Sequence, residues 1–152
     1  MNPDDQMARV RDKLISTSVG SDSIEGCTEE ELADIIAMNS TFSPPGAYVA
    51  FMRCMGKKAG RLLRGTDVFY PGCLDAFEVG VEVFPGGQIR EIFLFGHHQG
   101  YQFYYFKPND QHVYLRTEDD DGLTDSILAS SFCEFISKRV DRMVNRSQSS
   151  SN

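Results

Sequence analysis

Phe93-Leu94-Phe95-Gly96-His97-His98-Gln99-Gly100-Tyr101-Gln102-Phe103-Tyr104-Tyr105-Phe106 decides the fold of this chain. Two runs of aromatic and branched residues flank a five-residue stretch bounded by glycines, the pattern of a β-hairpin. Neither arm alternates between apolar and polar. Ile92 and Leu94 face one way and Phe93 and Phe95 the other, while Tyr101, Phe103 and Tyr105 oppose Tyr104 and Phe106. A hairpin apolar on both sides belongs at the centre of a sheet, with helices over one face and loops or a partner over the other.

Around it, 152 residues suffice for one domain that buries roughly two-thirds of its unfolded surface. No run of about 18 apolar residues is present, so no membrane span is expected. The start Met1-Asn2-Pro3-Asp4-Asp5-Gln6 lacks a basic, apolar secretory leader, which points to the cytoplasm. Cys27, Cys54, Cys73 and Cys133 are widely spaced and fit reduced, mostly buried thiols better than disulfides or a zinc site.

Charge is unevenly placed. The chain carries −7 overall, and from Asp67 to Ile136 twelve acids face three bases (Arg90, Lys107 and Arg116), a local net of −9. Arg53, Lys57, Lys58, Arg61 and Arg64 form a basic stretch without an acid. This balance disfavours direct nucleic-acid binding and attracts a basic protein. Ordinary solubility charge is the plainer explanation.

Helices flank the strands. Asn2 caps a first helix with Pro3 in its first turn and Met7, Val10 and Leu14 on one side. Ser16 to Gly26 is a small-residue linker. Thr28-Glu29-Glu30-Glu31 is a capping box for a second helix burying Leu32, Ile35 and Ile36. Phe42-Ser43-Pro44-Pro45 opens a third, with Tyr48, Phe51, Met52 and Met55 on one face and Gly56 at its end. Leu62-Leu63, Val68-Phe69-Tyr70 and Val79–Phe84 are strand candidates, the last turned by Pro85-Gly86-Gly87 towards Ile89–Phe95. Pro108-Asn109-Asp110 is a turn before a strand over His112–Arg116. Glu118-Asp119-Asp120-Asp121-Gly122 reads as an acidic loop. A last helix begins at Thr124 or Asp125 and carries Leu128, Phe132, Phe135, Ile136 and Val140. The expectation is one α+β domain over residues 1–145, an antiparallel sheet with helices mainly on one face, and a disordered Ser-rich tail over 146–152.

Several of these segments, in this order, resemble the SUKH superfamily, named partly after fungal cell-wall assembly regulators. They are Thr28-Glu29-Glu30-Glu31-Leu32, Pro45-x-x-Tyr48-x-x-Phe51-Met52-x-x-x-Gly56, Gly96-x-x-x-Gly100-Tyr101-Gln102-Phe103 and Ser131-Phe132-Cys133-Glu134-Phe135-Ile136. The likeness spans Thr28 to Val140. Ser43 and Pro44 stand where a Leu usually precedes the family's Pro, and the Trp of many members is absent. The resemblance implies a non-enzymatic module, in bacteria mostly an immunity protein that binds and blocks a toxin.

Chemical constellations are sparse. His97 and His98, set in the hairpin turn, suit turn or partner contacts better than metal ligation, and on a strand they would point to opposite faces. The spacings of a catalytic triad or a P-loop are missing, and Glu118–Asp121 lacks the ligand order of a calcium loop. No catalytic residue, metal or cofactor is therefore expected. The candidate partner contacts are Glu118, Asp119, Asp120 and Asp121 for a basic toxin, with His97 and His98. One or two of Tyr101, Tyr104 and Tyr105 should border a shallow groove. A monomeric immunity protein is the first reading. A scaffold or regulatory module of the same fold is the alternative, and a small enzyme or metal protein using His97, His98 and His112 the third.

Overall fold

The computed structural model describes residues 2–16, 23–39 and 42–149. The aromatic hairpin forms as β4 (Phe93–His98) and β5 (Gln102–Phe106), antiparallel, with β5 at the middle of a five-stranded sheet. The order is β3 (Thr66–Asp67), β4, β5, β6 (Val113–Asp119), β7 (Gly122–Ala129), every neighbouring pair antiparallel. A separate ribbon pairs β1 (Ile24–Glu25) with β2 (Lys58–Ala59).

Both faces of the hairpin are covered, as its lack of alternation requires. Phe93, Phe95, Tyr104 and Phe106 enter a large core with α1 (Pro3–Ile15), α2 (Glu29–Met38), α3 (Gly46–Met55) and α5 (Phe132–Ser149). Leu94, Phe103 and Tyr105 enter a smaller one under the short α4 (Asp75–Gly80) and the segment 81–92. The molecule is one α+β domain with four helices on one face of the sheet. Phe51, Phe93, Phe95, Phe103, Phe132 and Phe135 are all buried.

A bulge adjusts the alternation. Register passes from Leu94↔Tyr105 to Gly96↔Tyr104, so Phe95 is the extra residue on β4. His97 thereby turns to the smaller-core side, its ring 6.1 Å from that of Phe103. Gly96 is required there, since a Cβ would lie 2.3 Å from Val68 Cγ1.

Local signals hold at the first two helices. Asn2 Oδ1 accepts the Asp5 N–H at 2.8 Å, and Thr28 and Glu31 form the reciprocal capping box at 3.1 and 2.9 Å. Leu32 and Ile35 are buried and Ile36 half-buried. At the end of α2 the buried Asn39 accepts the Leu94 N–H on Oδ1 at 3.1 Å, fastening the helix to the start of β4.

Four expectations are corrected. Residues 79–84 form the end of α4 and turns rather than a strand, because Ala76, Gly80, Val83 and Phe84 are buried at helical spacing while Val79 and Val81 are exposed. Leu62-Leu63 lies in a turn, Leu63 at φ +53°, and β3 is confined to Thr66–Asp67, ahead of Val68-Phe69-Tyr70. The last helix starts at Phe132, where the Ser131 hydroxyl accepts the Glu134 N–H at 3.1 Å, and not at Thr124 or Asp125. Residues 122–129 are instead β7, folded back by the Asp120-Asp121 turn. The helix also runs to Ser149, into the stretch expected to be a disordered tail from 146; residues 150–152, like 17–22 of the linker, lie outside the described residues.

Tyr48 sits at the centre of the large core, its ring 5.5–5.6 Å from those of Phe93, Phe95, Phe106 and Phe132. Its buried hydroxyl has no hydrogen-bond partner among the described residues. A buried polar atom that lost its water without replacement destabilises the fold. Tyr48→Phe is therefore expected to raise stability by about 1 kcal/mol. Urea unfolding should show a higher midpoint at unchanged slope.

Candidate interaction face

The acidic segment is the tip of a hairpin, not a loop between sheet and helix. β6 and β7 pair from Val113↔Ala129 to Asp119↔Gly122, leaving Asp120 and Asp121 as the two connecting residues. Asp119 Oδ1 accepts the Asp121 N–H at 2.9 Å, and Gly122 takes φ +112°. Glu118, Asp119, Asp120 and Asp121 are all exposed. The Glu118 N–H donates to Tyr101 O at 2.8 Å, tying the tip to the β4–β5 turn. Four carboxylates thus stand on an anchored turn at one end of the sheet.

The pairing Arg116↔Asp125 puts Tyr114, Arg116 and Glu118 on one face with Leu123, Asp125 and Ile127, the side of the smaller core. The residues buried in that core come from α4, the segment 81–92, β4 and β5, so this face of β7 stays open. Leu123 is 45% exposed and Ile127 61%. β7 is also an outer strand, paired on one side by β6. Between it and the covered region runs a groove of about 500 Å³, lined by Phe84, Tyr105, Tyr114, Arg116, Asp125 and Ile127 among others.

Arg116 organises the groove. Its Nε and Nη2 donate to the two Asp125 oxygens at 2.8 and 2.9 Å. Its Nη1 donates to Val83 O at 2.8 Å and Gln88 Oε1 at 2.9 Å. The guanidinium lies 4.2 Å from the centre of the Phe84 ring. These hydrogen bonds hold the Asp125 carboxyl below the usual carboxylate range. Tyr105 stacks on Tyr114 at 5.4 Å and donates its hydroxyl to Asp125 Oδ1 at 3.0 Å. Burial, then Asp125, raises the Tyr105 hydroxyl above its ordinary pKa, so it stays a donor. At the groove's end the Tyr114 hydroxyl and the His112 N–H both donate to Asp110, which is held down to about 2. Lys107 Nζ sits 4.4 Å over the Tyr114 ring.

The aromatic and histidine candidates divide. Tyr101 is 41% exposed beside the acidic tip. Tyr105 is buried, its edge lining the groove, while Tyr104 is buried on the opposite face and lines a second cleft. Rings on β5 are too central in the sheet to stand out from it. His97 and His98 belong to β4 rather than the turn and point to opposite faces. His97 is buried, accepts the Gly100 N–H on Nδ1 at 3.2 Å and donates from Nε2 to Asp67 at 3.1 Å. It closes the hairpin and presents little surface to a partner. His98 Nδ1 bonds to Thr66 Oγ1 at 3.0 Å. His112 precedes β6 at the other end of the sheet. Among the described residues, no three of His, Cys, Asp and Glu gather as metal ligands.

Sequence reasoning missed Arg116, Tyr114, Leu123 and Ile127. The signals were there: a lone arginine among acids, and an alternating Leu123-x-Asp125-x-Ile127 after Asp121-Gly122. No protein-family model, curated protein or solved structure matches this chain.

Proposed function

We propose that this protein is a non-catalytic, immunity-type binding module that neutralises a basic toxin by covering it. One observation carries the reading: an anchored four-carboxylate tip adjoins an open sheet face bearing Leu123, Ile127 and an aromatic groove. Polar surface alone would not need the exposed apolar pair, and a plain solubility charge would not need to be concentrated on one turn. Acids on the rim steer a basic partner, and apolar contacts that lose water slow its release. If the toxin is a nuclease, the tip supplies carboxylates where phosphates would bind. The order of the Thr28, Pro45, Gly96 and Ser131 segments supports the same reading through their likeness to the SUKH superfamily. No helix among the described residues is long and apolar enough to cross a membrane. The module acts as a cytoplasmic monomer, and neither nucleic acid nor a cofactor enters this reading.

The test is kinetic. Asp119, Asp120 and Asp121 changed together to Asn should fold normally, since exposed charges contribute little to stability. Association with a basic toxin encoded beside this chain, sought first in the flanking genes, should slow about tenfold at low salt and lose much of its salt dependence. Dissociation should change little. Unaltered association and full protection of toxin-expressing cells would reduce the tip to a solvated turn. Binding without growth rescue would favour a scaffold of the same fold.

A further inference from the structure

A second site lies on the helix side of the sheet and carries the opposite charge. The turn after β2 contributes Arg61 and Arg64, and α5 contributes Arg139 and Arg142, three residues apart and therefore on one helix face. Thr66, His98 and Gln102 add polar groups from β3, β4 and β5, and Leu62, Leu63, Tyr104 and Met143 complete a cleft of about 310 Å³. No carboxylate lines it. Much of the remaining positive charge is paired: Lys13 with Asp141, Arg53 with Glu29, Lys57 with Glu31, Arg116 with Asp125 and Lys138 with Glu134. Among the described residues, none of the four cleft arginines has an ion-pair partner; Arg139 lies 5.3 Å over the Phe135 ring. Four guanidiniums share one concavity in a chain whose net charge is −7.

The backbone is shaped to bring them together. Consecutive turns, Leu62 N–H to Ala59 O at 3.1 Å, Arg64 N–H to Arg61 O at 3.3 Å and Thr66 N–H to Leu63 O at 3.0 Å, fold residues 59–66 tightly. Leu63 adopts a left-handed conformation, unusual for a branched side chain, that leaves its own side chain buried and Arg61 and Arg64 exposed on either side of it. The β4 bulge contributes as well, because it turns His98 onto this face, where Thr66 holds one ring nitrogen.

We propose that this cleft binds a phosphoryl dianion, either free phosphate or the phosphate of a small organic monoester. Like charges gathered in a cleft focus the field and attract an anion. Arginine without lysine suits bidentate bonding to phosphoryl oxygens, and Thr66, Gln102 and His98 can add single hydrogen bonds. The volume matches a small ligand. A nucleic-acid strand is disfavoured because its flanking phosphates would run onto an acidic molecule.

The experiment is calorimetric titration of the full chain at low salt with inorganic phosphate, with AMP and, separately, with a short poly-glutamate peptide. Saturable binding of phosphate or AMP is expected. Equal affinity for the two identifies free phosphate as the recognised unit, and tighter AMP binding identifies a monoester. Arg64→Gln with Arg142→Gln, both at exposed positions, should weaken binding at least tenfold with an unchanged thermal midpoint. Arg9→Gln with Arg53→Gln removes the same charge outside the cleft and should leave the affinity within twofold. The proposal is overturned if neither phosphate binds saturably, if the two double variants lose affinity equally, or if the acidic peptide binds tighter than both phosphates.

Discussion

Phe95→Ala should lower the stability of this protein by about 3–5 kcal/mol, the usual cost of emptying a large aromatic site in a core. Phe95 is the bulged residue of β4, and its ring meets those of Tyr48, Tyr104, Phe106, Phe132 and Phe135 at 4.6–6.3 Å. Those rings come from α3, β5 and α5, so the space left behind is bounded by three elements and cannot close by the shift of one. Domains of this kind have about 5–15 kcal/mol in hand, so the variant should be partly unfolded near physiological temperature. Phe95→Leu keeps most of the volume and should lose clearly less. Urea titration of both proteins tests the ordering. A loss below about 1 kcal/mol for the alanine variant would mean that the ring does not carry the large core.

That core was legible because its residues are apolar at positions with one reading. The Asn2 and Thr28 caps and the Tyr48-x-x-Phe51-Met52 stripe each satisfy a helix start or a helix face, and the doubly apolar hairpin needs cover on both sides. Residues 79–84 and 122–129 were misread because their patterns are shared. Val79-Gly80-Val81-Glu82-Val83 alternates over a few residues yet also places Ala76, Gly80 and Phe84 four apart, and close packing of Gly80 against Leu94 decides for the helix. Thr124 and Asp125 are good helix caps, yet Arg116 takes Asp125 as its cross-strand partner and the Asp120-Asp121 turn, followed by Gly122 at positive φ, sets the register. A cap is a local preference, and a buried guanidinium with a bidentate carboxylate outweighs it.

The candidate face was less legible than the core for the same reason. The acidic tip could be read directly, since four consecutive acids need solvent wherever they fall. Its neighbours could not, because Leu123 and Ile127 become surface residues only once 122–129 is a strand. The arginine cleft is assembled from segments about eighty positions apart, so its charge looks diluted along the chain.

Arg116→Gln should be the most damaging change at the groove, by about 2–3 kcal/mol. Arg116 is 8% exposed and ties β6 to β7 through Asp125 and to the segment over the smaller core through Val83 and Gln88. Glutamine cannot reach all three, and its loss also bares the face of Phe84. The Asp125 side chain is 45% exposed, so water recovers it, which keeps the cost below the ~3–5 kcal/mol of breaking a fully buried pair. The sign of the pH dependence supplies an independent check. A carboxyl held below its unfolded value of about 3.8 stabilises the fold at higher pH, and that contribution disappears as pH falls through the folded value. The parent should therefore lose more stability than Arg116→Gln on acidification, and the gap between them should narrow from pH 7 towards pH 3. In partner binding the variant should release faster while associating almost normally, because the four acids of the tip remain in place. A gap that stays constant with pH would place the energy of Arg116 in its Val83 and Gln88 contacts rather than in Asp125.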